Sequence, residues 1–145
     1  MSAEEFISHI QQLGISAAEI GQQEKYQLRQ QWRAAFANHL RTYLSRRKSG
    51  DRDWHVFGTK QAVCRDGATA LGLYARTQVP DIFILPEDDA LPGLRCTGTI
   101  PPDLSSLQLD LYVSPPDFTW TMVFTHEQPW RGPYFARREW QRIKL

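Results

Sequence analysis

The chain has 145 residues, with 17 basic and 16 acidic side chains and a formal net charge of +1. Apolar residues make up 41% and charged residues 23%, which excludes disorder, because a disordered chain has few apolar residues or a large net charge. A single domain over residues 1–145 is expected, large enough to bury a real core.

The first residues carry two glutamates, Glu4 and Glu5, where a secretory signal needs a basic start and an apolar run. The longest apolar run, Ile82 to Leu85, is far short of the ~20 residues of a membrane span. A cytoplasmic protein with no membrane association is expected. Cys64 and Cys96 are single and far apart, with no CxxC pair, and read as two reduced, buried thiols rather than a disulfide.

In chain order, Ser2 with Glu5 and Ser16 with Glu19 each have the spacing of a capping box. The first predicts a short helix that turns Phe6, Ile7, Ile10 and Leu13 inward and ends at Gly14. The second predicts a long amphipathic helix with Leu28, Trp32, Phe36, Leu40 and Leu44 on its apolar stripe, stopped by Gly50. Trp54 to Phe57 reads as a strand closed by Gly58. Asp66 is placed to cap a helix through Ala70 and Tyr74 that ends before Pro80.

Asp81 to Leu85 reads as a buried strand, Pro86 to Gly93 as an acidic loop, and Leu94 to Thr97 as a short strand. Pro101-Pro102-Asp103 opens a turn. Leu109 to Val113 alternates as a half-buried strand, with Asp110 and Tyr112 on its polar side. Phe118 to His126 puts Phe118, Trp120, Met122, Phe124 and His126 on one face and threonines on a less buried one. These last two strands should form a hairpin, and Tyr134 to Ala136 a final edge strand. The whole predicts an α+β domain, with N-terminal helices packed on one face of a mostly antiparallel sheet.

Charge is unevenly spread. Residues 1–50 hold seven basic and four acidic side chains, and residues 131–145 hold five and one. Residues 81–117 hold Arg95 against Asp81, Glu87, Asp88, Asp89, Asp103, Asp110 and Asp117. Such an acidic stretch attracts a basic protein partner and repels a phosphate backbone. Arg29, Arg33, Arg41, Arg46, Arg47 and Lys48 make a modest basic stripe on the long helix, with no nucleic-acid motif beside it.

His126 and Glu127, with His55 in another predicted strand and Tyr134 further on, could serve acid–base chemistry. The alternative is a hydrogen-bonded histidine at a strand end. No HExxH, HxH or fixed carboxylate pair points to a metal, no phosphate-binding glycine motif to a nucleotide, and no G-x-S-x-G to a serine nucleophile. No cofactor is expected. Of five tryptophans, Trp32, Trp54 and Trp120 suit core positions. Trp130 and Trp140 lie in or beside loops and read either as interface anchors or as a satellite cluster.

Trp54-His55-Val56-Phe57, Asp110-Leu111-Tyr112-Val113, Asp117-Phe118-Thr119-Trp120-Thr121, Thr125-His126-Glu127 and Gly132-Pro133-Tyr134-Phe135 together resemble a family of small bacterial proteins classed as a domain of unknown function. The resemblance covers residues 30–138 and is most specific in the C-terminal third. It implies one bacterial intracellular domain and transfers no catalytic residue. Arg131 stands where the resemblance leads one to expect a cysteine.

The leading expectation is a non-enzymatic protein-binding domain, of the immunity-protein kind that covers a toxin's basic active site. Its contacts would be Glu87, Asp88, Asp89, Asp103, Asp110 and Trp130. The alternatives are a hydrolase or transferase using His126, Glu127, His55 and Tyr134, and a nucleic-acid-associated module using the arginine helix. Oligomeric state is not legible.

Overall fold

The computed structural model describes residues 1–37, 52–78, 81–98 and 100–141. Helix α1 (Ala3–Gln12) starts as the capping box predicts, with Ser2 Oγ accepting from the backbone N–H of Glu5 at 3.1 Å. Phe6 and Ile10 are buried on its inner face. Leu13 is the C-cap and is exposed, against expectation, because the chain reverses at Gly14, whose φ of +80° suits glycine.

The Ser16–Glu19 box does not open a helix. Those residues form strand β1 (Ser16–Glu19), paired with β4 (Leu94–Thr97). The open edge of β4 supplies a backbone ladder that outweighs a weak local capping signal. Helix α2 (Gln22–Phe36) begins after Gly21 with no side-chain cap and ends at Phe36, well before Gly50. His39, Leu40, Arg41, Tyr43, Leu44, Arg46, Arg47, Lys48 and Gly50 lie outside the described residues, as do Arg142 and Lys144.

Trp54 to Phe57 is not a strand. His55–Gly58 forms a single helical turn, α3. Its aromatic, β-branched composition fits either state, and the turn buries Trp54, Val56 and Phe57 together beneath α2. Strand β2 (Arg65–Asp66) leads into helix α4 (Gly67–Ala75). Asp66 is its N-cap residue, but its side chain caps no backbone N–H.

Strands β3 (Asp81–Pro86), β5 (Leu111–Ser114), β6 (Trp120–Phe124) and β7 (Tyr134–Arg137) complete one sheet, in the order β1-β4-β3-β5-β6-β7-β2. Every pairing is antiparallel, including the β5–β6 hairpin. β7 is not an edge strand, because Arg65 and Asp66 of β2 pair outside it with Phe135 and Tyr134.

Both faces of the sheet are covered, not one. Side chains alternate across a strand, so Ile82, Ile84, Leu111, Val113, Trp120, Met122 and Phe124 meet α1 and α4. Phe83, Leu85, Tyr112, Val123, Tyr134 and Ala136 meet α2 and α3. The architecture is α+β with helical layers on either side, and β5 and β6 are buried throughout rather than half-wet. Phe118 has φ +53° and packs with the α2 layer, away from the face of Trp120 and Phe124.

Of the threonines expected on a less buried face of β6, Thr121 and Thr125 are interior and Thr119 is exposed. Thr121 Oγ1 accepts from Trp32 Nε1 at 2.8 Å and donates to the carbonyl of Val113 at 3.0 Å. This hydroxyl lets the α2 face of β6 take an indole N–H without leaving it unsatisfied. Trp32 also packs against Tyr112 (ring centroids 4.8 Å apart), Phe36 and Phe57. We expect Trp32→Ala to lower stability by about 3–5 kcal/mol in urea unfolding. Thr121→Val should cost about 1–3 kcal/mol, through the stranded indole N–H.

Candidate functional site

The α2 face holds a buried ionic knot. Its centre is Asp53, only 1% exposed, just ahead of α3. Asp53 Oδ2 accepts from Arg29 at 2.6 Å, and both its oxygens accept from Arg33 Nε at 3.0–3.1 Å. Arg29 and Arg33 are one helical turn apart, so both reach the same carboxylate. Arg29 also pairs with Glu87 at 2.8 Å and lies 4.4 Å over the Tyr112 ring. The Tyr112 hydroxyl donates to Glu87 Oε1 at 2.8 Å and accepts from the backbone N–H of Trp54 at 3.1 Å.

Burial pushes the Asp53 carboxyl up, but the Arg29 and Arg33 guanidiniums outweigh it and hold it below the usual carboxylate range. Burial likewise drives the Tyr112 hydroxyl well up, aided by the adjacent Glu87. Lys25 donates to the carbonyls of Asp88 and Leu91 at 2.9 and 2.7 Å, and burial pulls its amine down. The acidic loop and the basic helix, read from sequence as two separate binding surfaces, meet through Arg29 and Glu87, while Arg33 turns to Asp53 and the Asp88 and Asp89 side chains stay exposed.

A second carboxylate organises the neighbouring cleft. Asp110, with its side chain 8% exposed, accepts from Trp54 Nε1 at 3.0 Å and Arg52 Nε at 3.1 Å. It also accepts from the backbone N–H of His126 at 3.0 Å and meets His126 Nδ1 at 2.8 Å. Four contacts use up the acceptor sites of one carboxylate. The cleft, about 340 Å³, is lined by Pro86, Leu91 and Leu109 on its apolar side. Arg52, Glu87, Asp88, Gln108, Asp110 and His126 supply its polar side.

His126 lies past the end of β6 with its side chain 47% exposed, on the cleft wall. Glu127 pairs with Arg131 at 3.7 Å. His55 Nδ1 accepts from the backbone N–H of Arg52 at 3.2 Å. Tyr134 is buried and stacked on Trp54, and burial pushes its hydroxyl up. Trp54 is the common neighbour of His55, His126 and Tyr134, with ring centroids 4.4, 6.3 and 5.9 Å away. Of the alternative acid–base candidates, His126, His55 and Tyr134 thus surround one indole, Glu127 pairs with Arg131, and His126 also pairs with Asp110.

Asp88 and Asp89 are exposed, while Asp103 caps its own turn by accepting from the backbone N–H of Ser105. Trp130 is 88% exposed, on a loop tied by Thr125 N–H to Gln128 Oε1 (3.0 Å), by Arg131 N–H to the Glu127 carbonyl (3.1 Å), and by the Thr125 hydroxyl to the Arg131 carbonyl. Trp140 instead packs against Phe135. Both cysteines are free, and burial pushes the Cys64 and Cys96 thiols up to about 11 and about 12. Among the described residues no His, Cys, Asp and Glu group is placed to hold a metal, and no helix is long and apolar enough to cross a membrane.

Asp53 was not singled out by sequence, nor were the roles of Arg29, Arg33 and Tyr112 as its support. The legible trace was the alternation that put Asp110 and Tyr112 on the polar side of β5, opposite an arginine-bearing helix.

Residues 4–135 match the family model described as Domain of unknown function (DUF4275), and the chain belongs to that family. The match begins well before residue 30 and takes in α1 and β1. Neither a curated protein nor a solved structure matches the chain.

Asp53→Asn leaves two guanidiniums short of a carboxylate, and we expect a loss of about 3–5 kcal/mol near pH 7. Because the folded carboxyl titrates below the unfolded one, the unfolded chain takes up the proton first. Its stabilisation is full above the unfolded value of about 3.9 and is lost as acid reaches the folded value. Unfolding midpoints measured from pH 7 downward should fall less steeply below pH 4 in Asp53→Asn than in the parent.

Proposed function

We propose that this DUF4275 protein is a non-enzymatic protein-binding domain, of the kind an immunity protein uses to cover a toxin's basic active site. The observation that carries the reading is Trp130. A large aromatic side chain stands almost fully in solvent on a loop that its own hydrogen bonds hold in place. Rigid, exposed aromatics are the usual anchors of protein interfaces, since little conformational freedom is lost when they are covered. Asp88 and Asp89 supply an acidic rim that favours a basic partner. Glu87 and Asp110 contribute less net charge than the sequence suggests, because Arg29 and Arg52 pair with them.

The test begins with affinity capture from the native bacterium, followed by titration of the purified pair. Trp130→Ala should weaken the complex by about 2 kcal/mol or more while leaving the melting temperature unchanged. Asp88→Asn with Asp89→Asn should slow association and flatten its salt dependence. A partner that holds both variants as tightly as the parent overturns the reading.

A second reading, a hydrolase or transferase, draws on the His126–Asp110 pair, since a carboxylate on Nδ1 orients an imidazole as a base. An activity lost in His126→Ala and kept in Trp130→Ala would select it.

A further inference from the structure

We infer that the 340 Å³ cleft receives a lysine or arginine side chain of the partner protein, an assignment that rests on the protein-binding reading and gives it a second contact point. The volume lies at the low end for ligand sites, so a side chain fills it where a larger cofactor would not. Pro86, Leu91 and Leu109 offer an apolar wall for an alkyl stem.

The polar side of the cleft is rich in acceptors. Asp110 is saturated by Trp54, Arg52 and His126 and acts as an organiser. When the imidazole is neutral and donates Nδ1–H to that carboxylate, Nε2 of His126 is an acceptor for a guest. Glu87 takes Arg29 and the Tyr112 hydroxyl, which occupy two of its roughly four acceptor sites. Asp88 takes one bond, from the backbone N–H of Ala90, and among the described residues no cation pairs with its carboxylate. A guest with several N–H donors and a positive charge complements this set, and a neutral or anionic guest does not. His126, on the cleft wall, and the exposed Trp130 belong to one loop, which would let one partner engage both.

The probes are Nα-acetyl-L-lysine methylamide and Nα-acetyl-L-arginine methylamide, titrated into the 15N-labelled full chain. The readout is the Trp54 indole N–H, whose proton lies on Asp110. Saturable shifts are expected, at least about tenfold weaker when the lysine amine is acetylated, and at least about threefold weaker in Asp88→Asn. The Asn side chain can still accept from Ala90, so the fold is retained.

No saturable shift, an equal response to the acetylated lysine, or indifference to Asp88→Asn overturns the assignment. Tighter binding of 1,4-diaminobutane than of either amino-acid probe would overturn it in favour of a free polyamine. If the titration fails while Trp130→Ala still breaks the purified complex, the cleft is wrong and the protein-binding reading stands.

Discussion

The contact on which this face of the molecule depends is Arg29 with Asp53. A guanidinium and a carboxylate this far from water are costly to bury, and hydrogen bonds to their other donors and acceptors offset that cost, although the buried Arg29 Nε finds no partner among the described residues. Here Asp53 takes two arginines, and Arg29 takes two carboxylates and the face of Tyr112. The knot fastens α2, the segment entering α3, the end of β3 and the middle of β5 at a single point. Apolar packing of Trp32 and Phe57 holds the same layers together, but it sets no register. The directional bonds do that.

The cleft follows from the knot. Glu87 is held from behind by Arg29 and from below by Tyr112, so its carboxylate forms a fixed wall rather than a swinging side chain. On the other side of that wall lies a second groove of about 270 Å³, lined by Gln22, Lys25, Tyr26, Arg29, Gln30, Arg33, Glu87 and Asp89. Asp110, whose carbonyl accepts from the Glu87 backbone N–H at 2.9 Å, plays the matching role beside it, gathering Arg52, Trp54 and His126. Two nearly neutralised carboxylates thus shape a hollow whose surplus charge comes from Asp88.

What the sequence made legible was periodic. Alternation found β5 and β6, an unbroken apolar run found β3, and the four-residue repeat Leu28-Trp32-Phe36 found the buried stripe of α2. Local signals failed where distant backbone competed: Ser16 to Glu19 was drawn into a sheet by β4, and Trp54 to Phe57 into a helical turn by the layer above. The second helical layer was missed because threonines at 121 and 125 read as a wet face, whereas Thr121 serves Trp32 and Thr125 closes the Trp130 loop. The site was half visible. His126 and Asp110 each stand out in the sequence, but a pair 16 residues apart, meeting across a hairpin, leaves no spacing signature. Asp53 was hidden because one aspartate beside a tryptophan looks like any surface residue until two arginines converge on it.

The outermost strands have a consequence of their own. The long, apolar β3 and β6 lie inside the sheet, while its borders are β1, four residues with mostly exposed side chains, and β2, two residues long. A border so short and polar gives another polypeptide almost no ladder to extend, which guards against copies stacking strand upon strand into aggregates. Contact with other molecules is thereby steered away from the backbone and toward the loop tips, where recognition depends on side chains.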